Sequence, residues 1–134
     1  MGSVASYIKN TADKVFSRWT RLKVADYRGY VTCVTCGVTR HYQDNMNAGH
    51  YADRTHMNTR FDEQNVHVQC VRCNKWLSGN MASYAAFIAE TYGYEMIAEL
   101  DQRSRTIKQW KLPELKAKVK EWRAEIEKLS TVKG

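Results

Sequence analysis

The sequence predicts an α+β fold in which a small core of two strands and a helix lies between helices at both ends of the chain. Three observations lead to this prediction. Apolar residues recur at helical spacing before residue 28 and after residue 80. Short β-branched or aromatic segments lie between these regions. Two Cys-x-x-Cys pairs enclose most of the middle of the chain. A length of 134 residues fits one compact unit, so we expect a single domain over 1–134.

The first predicted element is an N-terminal helix over 12–28. Its apolar residues Val15, Phe16, Trp19 and Leu22 are three or four positions apart, which places them on one helical face. An Arg-Gly pair at 28–29 then ends the helix.

The predicted core covers 30–80 and contains strands, a loop and a helix. A strand at 30–34 leads into the first cysteine turn. We expect a short hairpin at 48–51 followed by a polar loop, and then a second alternating segment at 66–68. Helical character from 70 to 77 stops at a Ser-Gly pair.

The C-terminal region, 81–134, is predicted to be helical. An apolar stripe over 81–100 is expected to break near Gly93, and a last helix begins at Pro113. That helix carries an apolar seam formed by Leu115, Val119, Trp122, Ile126 and Leu129. Fewer than three heptads cannot decide whether such a seam packs within the chain or against a second copy.

The charge of the chain favours an anionic partner. The net charge is +7, and basic residues outnumber acidic ones by 11 to 6 in residues 1–80 and by 10 to 4 in residues 103–134. No apolar run is long enough to span a bilayer, and the N-terminus lacks the apolar segment of a signal peptide. We therefore expect a cytoplasmic protein that binds nucleic acid rather than membrane.

All four cysteines lie in the two Cys-x-x-Cys pairs. Cys33 and Cys36 form the first pair, Cys70 and Cys73 form the second, and 33 residues separate the two pairs. A redox dithiol is the alternative, but two pairs in one short chain favour tetrahedral Zn²⁺. Four sulfur ligands leave no open position for water, so the predicted zinc is structural.

Three polar residues follow one another between and just after the cysteine pairs: His50, Asn65 and Asn74. This arrangement resembles the HNH, or ββα-metal, nucleases. In that family the histidine activates water, the central asparagine pins a loop, and the last residue, a histidine there and Asn74 here, binds metal. It is also similar to the phage junction-resolving endonucleases, in which an asparagine follows the last cysteine. The resemblance implies an HNH-like core.

A more extensive resemblance is to the phage NinG/Rap recombination nucleases, over roughly 12–129. It rests on Asn-Ala-Gly-His-Tyr at 47–51, Arg-Phe at 60–61, Asn-Val-His at 65–67 and Cys-Asn followed by Ser-Gly-Asn within 73–80. The resemblance implies a metal-dependent, phage-encoded endonuclease that hydrolyses branched recombination intermediates, such as Holliday junctions and D-loops, in the host cytoplasm. That family carries Asp where this chain has Asn47.

Phosphodiester hydrolysis requires a base for water and a cation for the phosphate. His50 is the predicted base, and Asn74 is the predicted ligand of Mg²⁺ or Mn²⁺. His67, Asn47 and Asp53 compete for a second ligand position, and His67 is slightly favoured because it matches the family pattern. Many HNH sites place Asp or His directly before the base, where this chain has Gly49.

The remaining site residues have supporting roles. Asn65 is predicted to hold the loop that positions His50, because its amide both donates and accepts. Arg60 is a candidate for stabilising transition-state charge. Three cations and one aromatic side chain are candidate DNA contacts: Arg54, Arg72, Lys75 and Trp76. Solvated surface charge and core packing are the alternatives for these four.

Three functions are consistent with the sequence. The first is a structure-selective endonuclease acting on branched DNA. Cutting both strands favours a homodimer, and other recombination proteins would be further partners. The second is a zinc-dependent DNA-binding adaptor that no longer cuts, for which Gly49 and Asn47 are the supporting features. The third is a zinc ribbon that mediates protein contacts, which leaves His50, Asn65 and Asn74 unexplained.

Overall fold

A computed structural model describes residues 3–133. The helices and strands within this range confirm the predicted α+β class. In chain order they are α1 (Val4–Tyr7), α2 (Asp13–Lys23), β1 (Tyr30–Thr32), β2 (Thr39–His41), β3 (Met46–His50), β4 (Val66–Cys70), α3 (Met81–Tyr92), α4 (Glu95–Arg105) and α5 (Leu112–Ser130). Two π-helical segments, Ile8–Ala12 and Arg72–Trp76, accompany them. None of the helices within 3–133 is long and apolar enough to cross a membrane.

The N-terminal helix runs without interruption through α1, the first π-helical segment and α2. It begins before the predicted residue 12, because Ile8 and Ala12 extend the buried face that Phe16 continues. It also ends before the predicted residue 28. There the Asp26 carboxylate accepts hydrogen bonds of 2.9 Å from the backbone N–H groups of residues 28 and 30, which turns the chain toward β1.

Two antiparallel hairpins follow. In the first, β1 pairs with β2, and the turn between them carries Cys33 and Cys36. In the second, β3 pairs with β4, so that His50 lies opposite Val66. The predicted short hairpin at 48–51 is therefore wrong. These residues belong to the end of β3 and the start of a loop, and the partner strand comes only after the loop.

The two faces of the β3–β4 hairpin pack against different helices. Ala48 and Val66 face the N-terminal helix and α5, where the rings of Phe16 and Trp122 lie 4.9 Å apart. The opposite face contacts α3 through the buried side chain of Tyr84. The apolar seam of α5 is buried in this intramolecular packing through Leu115, Val119, Trp122 and Ile126. Of the two alternatives for the seam, packing within the chain is the one observed.

The helix predicted at 70–77 is a short π-helical turn that follows β4 directly. It ends in three consecutive left-handed residues at 78–80, of which Gly79 has φ +92°. The predicted break near Gly93 is present between α3 and α4, with φ +98°. Pro113 lies in the first turn of α5, where its missing N–H costs no helical hydrogen bond.

Candidate functional site

The four cysteines converge at one end of the β3–β4 hairpin. Cys33 and Cys36 lie in the turn after β1, Cys70 ends β4, and Cys73 lies in the following π-helical turn. Their four Sγ atoms all lie within 4.8 Å of one another. The Sγ atoms of Cys36 and Cys70 are 3.7 Å apart, close to the roughly 3.8 Å edge of a tetrahedron with Zn–S bonds of about 2.3 Å. The cluster could therefore hold a metal such as zinc.

The surroundings of the thiols suit a structural ion. Cys33, Cys70 and Cys73 are buried in the same apolar cluster as residues of α2 and α5. The backbone N–H of Cys73 donates to Cys70 Sγ over 3.4 Å, and Asn80 Nδ2 donates to Cys73 Sγ over 3.6 Å. These bonds hold the two sulfur atoms in position. We call these four cysteines the thiol centre; within residues 3–133 it is the only cluster of three or more His, Cys, Asp or Glu side chains at ligand spacing.

An open cleft of about 750 Å³ lies along the hairpin and contains His50 and Asn74, two of the four predicted catalytic residues. Its wall combines the N-terminal helix, β3, the loop after β3 and the second π-helical turn. Among the residues that line it are Asp13, Asn47, His50, Asp53, Arg54, Asn74 and Lys75. The structure thus brings together side chains that lie up to 62 positions apart in the sequence.

His50 is held as a neutral base. Its Nε2 lies 2.9 Å from the backbone oxygen of Arg60, and because a carbonyl only accepts, Nε2 carries the proton. Burial lowers the pKa of His50 from 6.5 to about 4, more than the hydrogen bond to Arg60 raises it. The ring is therefore neutral at pH 7, and Nδ1 retains a lone pair that can accept a proton.

Arg60 does not offer its guanidinium to a phosphate. Its Nε donates to Asp13 Oδ1 over 2.9 Å, and Nη2 forms a second, very short contact with Asp13 Oδ2. Nη1 donates to the backbone oxygen of Arg54 over 2.6 Å. The predicted role in stabilising transition-state charge is corrected, because this guanidinium is already bound in a half-buried ion pair. Asp13 is a cleft residue that the sequence analysis missed.

Asn65 is fully buried and ties the two ends of the loop at 51–65 together. Its Oδ1 accepts from the N–H of Ala52 over 2.8 Å. Its Nδ2 donates to the oxygens of Ala52 and Thr59 over 2.9 and 3.1 Å. These bonds are of the kind predicted from the amide's donor and acceptor, and they fix the loop that supplies the Arg60 carbonyl. Asn65 itself does not line the cleft.

His67 does not join the cleft. It lies opposite Gly49 in the hairpin, and its ring packs on the α3 side. Nδ1 is 3.0 Å from the hydroxyl of Tyr84, and Nε2 is 2.7 Å from the hydroxyl of Tyr92. The tentative assignment of His67 as a metal ligand is corrected, because both nitrogens are bound to tyrosines on the opposite face of the hairpin.

Gly49 is required by packing. A methyl group built on it would lie 1.9 Å from Gln69 Oε1, on the face of the hairpin turned away from His50. The Gln69 side chain is held there by bonds from Nε2 to Thr35 Oγ1 at 3.1 Å and to the Gly79 oxygen at 2.8 Å. A larger side chain does not fit at position 49 unless Gln69 moves, so packing accounts for the glycine that stands where many HNH sites have Asp or His.

Three oxygen-bearing side chains remain as candidates for a cation in the cleft. Asn74 is half-buried in the π-helical turn. Asn47 has a buried Nδ2 for which no partner lies among residues 3–133. Hydrogen bonds from Thr55 lower the pKa of Asp53, which keeps its carboxylate ionised. Amide and carboxylate oxygens are ligands that Mg²⁺ and Mn²⁺ accept.

The predicted DNA contacts differ in where they lie. Arg54 and Lys75 line the cleft, and Arg54 has 64% of its side chain exposed. Arg72 is exposed but does not line the cleft. Trp76 is 80% exposed, which removes core packing as an explanation for this tryptophan.

Comparisons with known proteins identify relatives of this chain. Residues 3–131 match the family described as Bacteriophage Lambda NinG protein. The protein ninG of Salmonella phage P22 is 33% identical over 98 residues, which are 72% of this chain and 47% of that protein. The protein ninG of Escherichia phage lambda is 32% identical over the same shares. That of Escherichia phage 933W is 34% identical over 63% of this chain and 41% of that protein.

No solved structure matches the chain. The chain spans less than half the length of these curated relatives. The family match nevertheless covers the N-terminal helix, the thiol centre, the cleft and the whole of α5. The chain therefore belongs to the phage NinG family.

Proposed function

We propose that this chain is a metal-dependent DNA endonuclease of the HNH, or ββα-metal, type. Its substrates would be branched recombination intermediates such as Holliday junctions and D-loops. The observation that carries the proposal is the state of His50: a neutral ring with Nε2–H bound to a fixed carbonyl and Nδ1 unprotonated, in the same cleft as Asn74. A protein that only binds DNA has no need of a buried, oriented base beside metal-binding oxygens.

The chemistry follows from this geometry. His50 Nδ1 takes a proton from water as the water oxygen bonds to phosphorus. The bond from phosphorus to the leaving oxygen breaks, and that oxygen takes a proton from solvent. A base with a pKa of about 4 is weak, but the negative charge of an approaching phosphate raises the pKa of an imidazole.

A divalent cation would be held by Asn74 with Asn47 or Asp53. Bound there, Mg²⁺ or Mn²⁺ would supply charge stabilisation at the phosphate and the leaving oxygen. The unpartnered Nδ2 of Asn47 fits a site that is completed by substrate or ion, since a buried amide without a partner is otherwise costly. The thiol centre would hold structural Zn²⁺ and take no part in the reaction.

DNA would reach the cleft along an exposed basic rim. Arg54 and Lys75 line the cleft and would contact DNA phosphates there, and Arg72 lies near Lys75 in the same helical turn. The exposed ring of Trp76 follows directly, where it can stack on unpaired bases. Unpaired bases occur at branch points, which supports a branched substrate over a linear duplex.

The alternative is a DNA-binding adaptor that does not cut. One observation favours it: within residues 3–133, no second cluster of three or more His, Cys, Asp or Glu side chains accompanies the thiol centre. A cation in the cleft would therefore depend on amide oxygens, the Asp53 carboxylate and substrate. The proposal that the active form is a homodimer that works with other recombination proteins rests on the need to cut two strands, because the α5 seam is buried within the chain.

The deciding experiment incubates the zinc-loaded protein with labelled four-way junction, D-loop and linear duplex. Each substrate is tested with Mg²⁺, with Mn²⁺ and without added divalent cation. A chelator is avoided because it would also strip zinc. We expect cutting that requires the cation and is faster on the branched substrates. Tight junction binding with no cutting in either metal would overturn the nuclease proposal in favour of the adaptor.

A further inference from the structure

The N-terminal helix contributes a charged side chain to the cleft. Asp13 begins α2, and its carboxylate pairs with the guanidinium of Arg60, 47 positions later. The two side chains are only 16% and 13% exposed. An ion pair held out of water with two parallel contacts has a defined geometry as well as a favourable energy.

Arg60 also connects this pair to His50. Its backbone oxygen accepts the proton of His50 Nε2 over 2.9 Å. The backbone on either side is held too, because Arg60 Nη1 binds the oxygen of Arg54 and Asn65 Nδ2 binds the oxygen of Thr59. Of these restraints, only the pair with Asp13 comes from outside the loop at 51–65.

We propose that Asp13 is a positioning residue for His50, acting through the side chain and the backbone carbonyl of Arg60. The expected effect on the rate of DNA cleavage rests on the proposed function, whereas the expected effect on the tautomer of His50 does not. With Asp13 in place, the Arg60 carbonyl accepts the proton of Nε2, so Nδ1 of this cleft residue stays unprotonated. Without it, Arg60 loses its anchor on the helix, the restraint on its carbonyl is weaker, and the ring can place its proton on either nitrogen.

The first test measures the tautomer of His50 directly. Nitrogen-15 NMR of the zinc-loaded protein at pH 7 distinguishes a protonated ring nitrogen from an unprotonated one. We expect wild type to show protonated Nε2 alone, and Asp13→Asn to show both tautomers. Asp44→Asn, an exposed carboxylate outside the cleft, is the matched control and should resemble wild type. A single Nε2–H tautomer in Asp13→Asn would overturn the proposal.

The second test measures cleavage. We expect Asp13→Asn to lower kcat about tenfold with little change in KM, because misplacing a catalytic group affects the reaction rather than binding. Asp13→Glu, which keeps the charge, should recover part of that loss. If Asp13→Asn fails to fold, as judged by zinc content, Arg60→Lys replaces it, since a lysine cannot form the paired contacts. An unchanged kcat in a folded variant would overturn the proposal.

The tautomer test and the cleavage test together distinguish failure of the proposed function from failure of the positioning role. If wild type cuts no DNA, the proposed function fails, while the tautomer comparison still decides whether Asp13 positions His50. If wild type cuts and the tautomer of Asp13→Asn is fixed, the proposed function stands and the positioning role fails.

Discussion

The thiol centre lies at one end of the β3–β4 hairpin and the cleft runs along it, yet they are built in different ways. Cys70 ends β4 at one end, and His50 ends β3 at the other. The thiol centre uses four identical donors from two local motifs, and each motif supplies two sulfur ligands from one turn. The cleft combines single residues from the N-terminal helix, a strand, a loop and a π-helical turn. The ligands of the thiol centre are therefore set by repeated local motifs, whereas the residues of the cleft are brought together by tertiary packing.

The largest effect is expected at the thiol centre. Structural zinc contributes about 10–16 kcal/mol of binding energy, comparable with or larger than the roughly 5–15 kcal/mol stability of a typical domain. Cys70→Ser should therefore leave the chain unfolded at 25 °C, as measured by circular dichroism and bound zinc. Wild type stripped of zinc should behave in the same way and refold when zinc is returned. A zinc-free chain with native circular dichroism would contradict a structural role for the ion.

A smaller effect is expected where the hairpin supports the cleft. Gly49→Ala places a methyl group against Gln69 and should lower the free energy of unfolding by about 1–3 kcal/mol. Gly37→Ala is the matched control: it meets no atom within 4 Å and should cost only about 1 kcal/mol for its left-handed backbone. Urea unfolding measures both changes.

The cause of the Gly49 effect can be tested with a second change. If the clash is with the Gln69 side chain, the double variant with Gln69→Ala should be more stable than the sum of the two single changes predicts. Strictly additive costs would show that Gly49 is required for another reason.

The back face of the hairpin should make stability depend on pH. Burial lowers the pKa of His67 from 6.5 to about 4. Between these values the unfolded chain binds the proton more readily, so acid destabilises the folded chain by up to about 1.4 kcal/mol per pH unit from this residue. The contribution is fully present above pH 6.5 and is lost as the pH falls toward 4.

His67→Gln should remove that part of the pH dependence. Urea unfolding at pH 7, 6 and 5 would show a shallower loss of stability than in wild type, with the remainder coming from His50, whose pKa is lowered in the same way. His56→Gln changes an exposed histidine and is the control. If the free energy of unfolding of His67→Gln depends on pH as steeply as that of wild type, the His67 ring takes up its proton in the folded chain as readily as in the unfolded one.

The smallest expected effect is at the rim of the cleft. Lys75→Ala should weaken junction binding modestly and reduce the slope of log affinity against log salt by about one, because one phosphate contact is lost. Fluorescence anisotropy at several salt concentrations measures the slope. An unchanged slope would show that Lys75 is solvated rather than bound to DNA.

The sequence predicted the thiol centre because each Cys-x-x-Cys spacing marks a local turn that supplies two metal ligands, and the chain has two such turns. It also grouped His50 with Asn74, through a family resemblance that carries tertiary information, and both line the cleft. It missed Asp13, because nothing local marks a helix carboxylate as the partner of an arginine 47 positions later.

The errors have a common cause in strand register and packing. His67 was favoured as a metal ligand because it matches the family pattern. Strand register decides which face a side chain occupies, and it places His67 on the face away from His50. The apolar pattern of α5 shows that one face of the helix is buried but not what covers it. The N-terminal helix covers that face, and nothing in the α5 sequence identifies this partner. The helix start was set too late because Ile8 and Ala12 are too few to establish a period.

The central claim, that the cleft hydrolyses DNA with His50 as its base, is tested most directly by one comparison. Zinc-loaded wild type, His50→Ala and the control His56→Ala are assayed for junction cutting in Mn²⁺ and for junction affinity without divalent cation. We expect His50→Ala to cut the junction at least about a hundredfold more slowly than wild type, with unchanged zinc content and junction affinity. His56→Ala should cut at the wild-type rate. Cutting by His50→Ala at the wild-type rate would contradict the central claim.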